Sequence, residues 1–291
     1  MNRVRGCFIT IISIIVLSCF ALFCVYFLNT GSRSSGSSFG GLFSSRDLLF
    51  LGLDERTDSN EFVGRTDSII VLHISDSGEK NTLISIPRDT RVHLKDKGWN
   101  KINAAYVFGG IDMTKLEIGQ LTGIEINKTI VLNFNGFKRV IDILGGVRII
   151  VEEPLHDPLS GAYFEPGEYL MDGEQSLSFA RCRSTAGADL DRIDRQQHLF
   201  NELIKQKANI STMVQVLNPL NDASDIFLVI REETISDFTI WDFCSIGFVL
   251  LFSNKDIERI TIPTRGATID GVSYLLADEE EVKEFLSDYL K

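Results

Sequence analysis

Four arginines and three aspartates fall within "ARCRSTAGADLDRIDRQQ", residues 180–197. Arg181 and Arg183 stand at i and i+2, so in an extended "FARCRS" they point to one side and Cys182 to the other. Arg192 and Arg195, at i and i+3, share one face of a helix, and Gln196 joins Arg192 at i+4. Guanidiniums from two elements that converge on one volume suit phosphate, because the planar fork meets its oxygens in pairs. The structural alternative is an ion-pair network in which Asp189, Asp191 and Asp194 neutralise the arginines.

Two more polar stretches sit where predicted elements end, the usual place for sites. In "LGLDERTDSNEFVGRTDS" (51–68), Asp54 closes a strand, Arg56 follows, and Arg65 and Asp67 open the next. Carboxylates brought together on adjacent strands repel unless they share a cation or a proton. Magnesium takes few carboxylates and completes its shell with waters and phosphate oxygens. A surface loop with ordinary ion pairs would contain the same residues. In "SIPRDT" (85–90), Pro87 ends a strand and lets Arg88 and Asp89 project. Lys101, Asn103 and Tyr106 of "WNKINAAY" follow near the start of a helix. No catalytic triad emerges. The four histidines (73, 93, 156 and 198) lack metal-ligand spacing, which argues against a zinc enzyme, and neither a Walker loop nor a dinucleotide fingerprint is present.

The elements that must position these groups alternate. "DLLFLGLD" (47–54) suits a strand buried on both faces, and "DSIIVLHIS" (67–75) and "NTLISIPRD" (81–89) read as a hairpin. A helix is expected over 112–123, then a strand from Lys128 and a helix opened by Asn135 and closed by Gly145. The strand "VRIIVEE" leads, after a loop at 152–170, to a short helix capped by Asp172. The next helix, from Asp191, turns Ile193, Leu199, Leu203 and Ile204 to a core. The apolar stretch 236–253 is interrupted by Asp237 and Asp242, so it reads as a buried amphipathic helix rather than a membrane span. Two strands and a closing helix complete the chain. Strands and helices in this order predict an α/β fold with a central mixed β-sheet and helices on both faces.

Ahead of this domain (47–291) stand a short N-terminus (1–6), an uncharged run of 22 residues at 7–28 and a Gly/Ser-rich linker at 29–46. The run is long enough to span a bilayer, and Arg3 and Arg5 favour a cytoplasmic N-terminus, so an uncleaved single-pass signal anchor is expected. A cleavable signal peptide would have a shorter core. Residues 1–46 hold four arginines and no acid, which leaves 25 basic and 40 acidic residues in 47–291, a net charge of −15. That balance excludes general nucleic-acid binding. Outside the apolar run only Cys182 and Cys244 remain, so two separate thiols or a single bridge are expected, not a disulfide framework.

Seven pieces in order, "LGLDER", "GRTDS", "SIPRDT", "KINAAYVFGG", "NFNGFKRVIDILGGV", "MDGEQSLSFARCR" and "DRIDRQQ", resemble the LytR-CpsA-Psr family of cell-envelope proteins. They cover about residues 47–205, and "ITIPTRGATIDGVSYLL" is a looser match. The resemblance implies a phosphotransferase outside the membrane of a Gram-positive-type envelope. It would move an anionic glycopolymer, teichoic acid or capsular polysaccharide, from a polyprenyl-pyrophosphate carrier to peptidoglycan. By the same resemblance Asp54 and Asp67 hold Mg²⁺, with Mn²⁺ as a substitute. Arg65, Arg88, Arg181, Arg183 and Arg192 bind pyrophosphate, with Gln196 beside them and Lys101 and Arg195 as further members. Asp89 or Asp67 is the expected proton acceptor. A pyrophosphatase and a non-catalytic lipid sensor are the alternatives. One departure stands out: where the family commonly has a small residue before the arginine at 192, this chain has Asp191.

Overall fold

Six residues without charge, bounded by Asp47 and Asp54, put apolar side chains on both faces, and DLLFLGLD accordingly forms an interior strand, β1 (Asp47–Asp54). The computed structural model describes residues 47–54, 62, 64–75, 81–126, 128–185, 187, 189–207, 234–238, 242, 246 and 257–290. The expected anchor at 7–28, the linker at 29–46, Cys244 and most of the expected helix at 236–253 lie outside them. Among the described residues no helix is long and apolar enough to cross a membrane.

The strands of the main sheet are β1, β2 (Arg65–Ile74), β3 (Asn81–Ser85), β6 (Lys128–Leu132), β11 (Thr234–Ser236) and β12 (Ile257–Thr261), in the order β11-β6-β1-β2-β3-β12. β1 pairs in parallel with β6 and antiparallel with β2, while β3 pairs antiparallel with β2 and in parallel with β12. The sheet is therefore mixed, as expected, and β6, β1, β3 and β12 end at the same edge. Four hairpins surround it: β4 (Arg91–Leu94) with β5 (Gly98–Lys101), β7 (Val147–Val151) with β10 (Gly167–Met171), β8 (Leu155–Asp157) with β9 (Ala162–Phe164), and β13 (Arg265–Ile269) with β14 (Val272–Leu276).

Alternation along β1 sends Leu49, Leu51 and Leu53 to one face, where they pack with Ile118 and Leu121 of α1 (Ala104–Thr122) and Val282 and Leu286 of α5 (Glu279–Ser287). Leu48 faces the other side, in a cluster with Phe200 and Ile204 of α4 (Asp189–Lys207). Helices thus cover both faces. A third cluster joins Ile141 of α2 (Phe134–Ile143), Phe179 of α3 (Gly173–Arg181) and Leu199 of α4 to the β7–β10 ladder.

Three helix starts differ from the sequence reading, the smallest difference being that α4 begins at Asp189 and not Asp191. α1 begins eight residues before the expected 112, because a first turn at Ala104 joins the main helix through Gly109 and Gly110, the latter at φ 62°. α2 is capped by Asn133, not Asn135. β6 ends at Leu132, so Asn133 is the first residue released from the ladder, and its Oδ1 accepts the Gly136 N–H at 2.7 Å. The Asp172 cap holds, closed into a reciprocal box with Gln175.

Gly173 fixes how closely α3 approaches α2. Its N–H donates to Asp142 Oδ1 at 2.7 Å, and a Cβ there would lie 2.3 Å from the Lys138 carbonyl oxygen. Gly173→Ala is expected to cost about 1–3 kcal/mol, a Tm loss on the order of 5–10 °C. Gly266→Ala, which meets open space, is the matched control. Equal melting curves for the two variants would show that the helix pair is not locked by this contact.

Candidate active site

The common edge at which β6, β1 and β3 end is where an open α/β sheet places ligands. Asp54 is the last residue of β1 and faces Arg65 in register. Leu53 pairs with Thr66 and Gly52 with Ser68, so Asp67 is the extra residue of a β-bulge. Strict alternation would turn Asp67 to the face of Ile69, inside the α1–α5 core. The bulge re-aims it to the opposite face, where Asp54 and Asp67 line one cavity. Arg88, just past β3, donates from Nη1 to Asp67 Oδ2 at 2.7 Å. Burial opposes the Arg88 charge, but the Asp67 hydrogen bond and the charges of Asp67, Asp189 and Asp89 outweigh it and raise its pKa.

α3 and α4 supply the other cations. Arg181 is the last helical residue of α3, so "FARCRS" is not extended as the i, i+2 argument assumed. The chain leaves the helix at Cys182, which is fully buried on the far side as expected and carries a free thiol. Arg181 lies over the Phe134 ring at 4.5 Å, and both Arg181 and Arg183 reach the cavity. Asp189, the first residue of α4, lies between three guanidiniums, at 3.1 Å from Arg192 and 3.6 Å from both Arg88 and Arg183. The Arg192 side chain is 3% exposed. Burial depresses its pKa most and the charge of Arg88 adds to this; against the pull of Asp189 it falls to about 10. It stays charged at neutral pH, and its Nε, like that of Arg88, is buried without an acceptor among the described residues. Such a group is an anion site with unspent donors.

Other expected members take different places. Arg195 donates to the Cys182 carbonyl and to Thr185 Oγ1, and so ties the 182–185 loop to α4 instead of lining the cavity. Lys101 pairs with Asp89 at 2.8 Å, outside the cavity, and exposed Arg65 does not line it either. Gln196 does line it, while its amide holds the Ala180 carbonyl at 3.3 Å. Asp191 does not touch Arg192. Its carboxylate accepts from Gly187 N–H at 2.8 Å, and bonds from the Thr185 side chain and the Gly187 backbone hold its pKa below the usual carboxylate range. It clamps the turn that leads into α4.

Three contributors had no clear sequence signal. Gln197 donates to Ser85 Oγ at 2.8 Å and to the Ile260 carbonyl at 2.7 Å, docking α4 on the ends of β3 and β12. Asp157 accepts the Arg183 backbone N–H at 2.8 Å and fixes that turn. Burial opposes its charge, yet the N–H groups of Arg183 and Leu159 hold its pKa low. Asn133, 1% exposed and on the cavity wall, keeps its amide nitrogen without an acceptor among the described residues. An asparagine before a helix reads as a cap, which it also is.

The cavity has a volume of about 820 Å³. Asp54, Asp67 and the guanidiniums of Arg88, Arg181, Arg183 and Arg192 form its charged lining, which we call the mouth, and Phe50, Leu132, Phe137, Val140, Leu177 and Leu203 belong to its apolar lining. Two carboxylates on one wall fit an ion that retains waters and phosphate oxygens. Among the described residues no group of three or more His, Cys, Asp or Glu is placed to enclose a metal.

A mixed sheet that bears, at its carboxyl edge, a cavity with both guanidiniums and apolar side chains in its lining has the chemistry to suit an anionic amphiphile. The chain belongs to the LytR_cpsA_psr family, whose model matches residues 43–290. The polyisoprenyl-teichoic acid–peptidoglycan teichoic acid transferase TagU of Halalkalibacterium halodurans is 31% identical over 261 residues, covering 88% of this chain and 82% of that protein. The crystal structure of Bacillus subtilis TagV matches with a TM-score of 0.69 and 28% identity, over 84% of this chain and 96% of that one. A structure of Bacillus subtilis TagT (YwtF) with bound octaprenyl pyrophosphate lipid shares the fold, with a TM-score of 0.62 and 21% identity over 84% and 90% of the two chains.

Proposed function

We propose that the protein transfers an anionic glycopolymer, of teichoic acid or capsular polysaccharide type, from a polyprenyl-pyrophosphate carrier to peptidoglycan by Mg²⁺-dependent phosphoryl transfer. The observation that carries this reading is the cavity itself, in which four arginines stand over an apolar chamber. One end suits a diphosphate and the other a hydrocarbon chain. The transferase activity named for the TagU relative supports the reaction class, and the lipid bound by TagT supports the donor. The 7–28 segment supports a single-pass anchor with the N-terminus cytoplasmic and the domain outside.

Phosphoryl transfer needs positioning and charge stabilisation more than covalent help. Arg88, Arg183 and Arg192 hold the diphosphate, with Arg181 beside them. A peptidoglycan hydroxyl forms the new P–O bond at the phosphorus nearer the glycan, and the bond to polyprenyl phosphate breaks. Asp67, bonded to Arg88, and Asp89, paired with Lys101 beside the cavity, are the two candidate acceptors of the hydroxyl proton. Asp54 and Asp67 would hold Mg²⁺, which supplies neutralisation of the phosphate oxygens.

The test uses the full chain in detergent with a polyprenyl-pyrophosphate-linked glycan and a peptidoglycan fragment. Transfer is expected, with release of polyprenyl phosphate, and chelation with EDTA abolishes it until Mg²⁺ or Mn²⁺ is restored. Phosphate release without transfer identifies a pyrophosphatase. Binding without turnover, unaffected by Asp67→Ala, identifies a sensor and ends the transferase reading.

A further inference from the structure

Beside Asp89 the chain changes character. In a domain of net charge −15, residues 91–101 carry four basic side chains, one acid and a histidine. They form the β4–β5 hairpin, whose alternation buries Val92 and Leu94 and turns Arg91, His93, Trp99 and Lys101 outward together. Trp99 is 56% exposed, rare for so large an apolar ring. The Arg91 guanidinium lies 4.3 Å from the Trp99 ring centre and 5.5 Å from that of Tyr274, a residue of β14. It has no carboxylate partner among the described residues, and its Nε has no acceptor there. The His93 and Trp99 ring centres lie 5.2 Å apart in an edge-to-face arrangement, and Lys97 lies 5.3 Å from the ring centre of Phe108, itself 45% exposed.

This face is continuous with the site. Lys101 lies 5.9 Å from the Tyr274 ring and pairs with Asp89 at 2.8 Å, and Arg88 Nε is 3.8 Å from Asp89. The Leu275 N–H donates to the Asp89 carbonyl at 3.0 Å, so the two hairpins and the Arg88–Asp89 turn are one unit. A run of side chains leads from Trp99 to the mouth without a gap.

From this geometry we infer that the Arg91–Trp99–Tyr274 face is the acceptor subsite, a platform for a glycan that carries carboxylates. The inference rests on the transferase reading above. An exposed aromatic ring offers an apolar plane to the C–H face of a pyranose. The Arg91 guanidinium over it, without a carboxylate partner among the described residues, supplies a bidentate partner for a sugar-linked carboxylate. A glycan lying along the face ends at Asp89, one of the two candidate acceptors of the hydroxyl proton. The anionic glycan of the donor offers similar chemistry, but it leaves the arginine cluster at the mouth and needs no second platform.

The test measures binding of a soluble peptidoglycan tetrasaccharide with free lactyl carboxylates, and of uncharged chitotetraose, to the full chain in detergent without donor. Trp99→Ala is expected to weaken both about tenfold, a loss typical of a buried aromatic anchor, and Trp99→Phe restores most of it. Arg91→Gln weakens only the carboxylated sugar. Affinity for polyprenyl pyrophosphate stays unchanged in all three, and unchanged melting shows that the hairpin is intact. Wild-type glycan affinity in Trp99→Ala overturns the subsite. So does an equal loss of affinity for a glycan-bearing donor, which would assign the face to the donor. Because binding is read without turnover, the result stands or falls apart from the transferase assay.

Discussion

Arg88→Ala is expected to lower kcat/KM for transfer from a polyprenyl-pyrophosphate donor by about three orders of magnitude, with Arg88→Lys recovering about tenfold of that loss. Arg88 joins Asp67, Asp89 and Asp189. It bonds to Asp67 at 2.7 Å, lies 3.6 Å from Asp189, and its Nε is spare. Its side chain is four-fifths buried, so its charge acts where water screens it little. Removing it takes away a planar donor aimed at the diphosphate and leaves Asp67 facing that diphosphate with only the more distant Arg183, 4.0 Å away, as counter-charge among the described residues. Both effects grow as negative charge builds on the leaving phosphate, so kcat falls more than donor affinity. Lysine restores the charge but not the fork that spans Asp67 and a phosphate oxygen. Steady-state kinetics with both variants, alongside melting curves, check the prediction. Full donor affinity and turnover in Arg88→Ala and in Arg183→Ala would remove the clamp altogether.

What the sequence exposed here, and what it concealed, follows from the range of the forces involved. The apolar run of β1 and the Asp172 cap depend on neighbours a few residues away, and they were legible; Cys182 does turn from the two arginines, but at a helix end rather than along the extended segment expected. Asp67 was found by type and spacing, but the bulge that turns it from the Ile69 face to the cavity arises from register between two strands, which local pattern does not encode. Arg195 and Gln197 show the limit more sharply. On a bare helix Arg195 shares the face of Arg192, yet the 182–185 loop folds back to claim it, and Gln197 looks like an ordinary surface amide until the ends of β3 and β12 meet it. Asp191, which spacing sets beside Arg192, serves the turn before α4 instead. Lys101 and Arg65 were grouped with the phosphate ligands, but in the fold Lys101 neutralises Asp89 at the junction with the aromatic hairpin, and Arg65 faces Asp54 across the strand pair.

The second large effect concerns the far end of the cavity. Val140→Trp and Leu203→Trp are each expected to weaken binding of a long-chain polyprenyl pyrophosphate about ten- to fiftyfold while leaving inorganic pyrophosphate within twofold. Val140 on α2 and Leu203 on α4 are both half-buried members of the apolar lining. An indole projected into the chamber takes the place of two or three carbons of the lipid, at about 0.8 kcal/mol for each carbon kept from water. The loss should deepen with chain length, because a short prenyl chain does not reach the obstructed region. Displacement measurements with a series of prenyl pyrophosphates read this directly, and inorganic pyrophosphate reports the mouth alone. If both ligands weaken equally, the tryptophans have disturbed α2 or α4 and the chamber is not the tail site. A cavity that was merely a packing defect would behave differently again: either tryptophan would fill it, raise Tm and leave both ligands untouched.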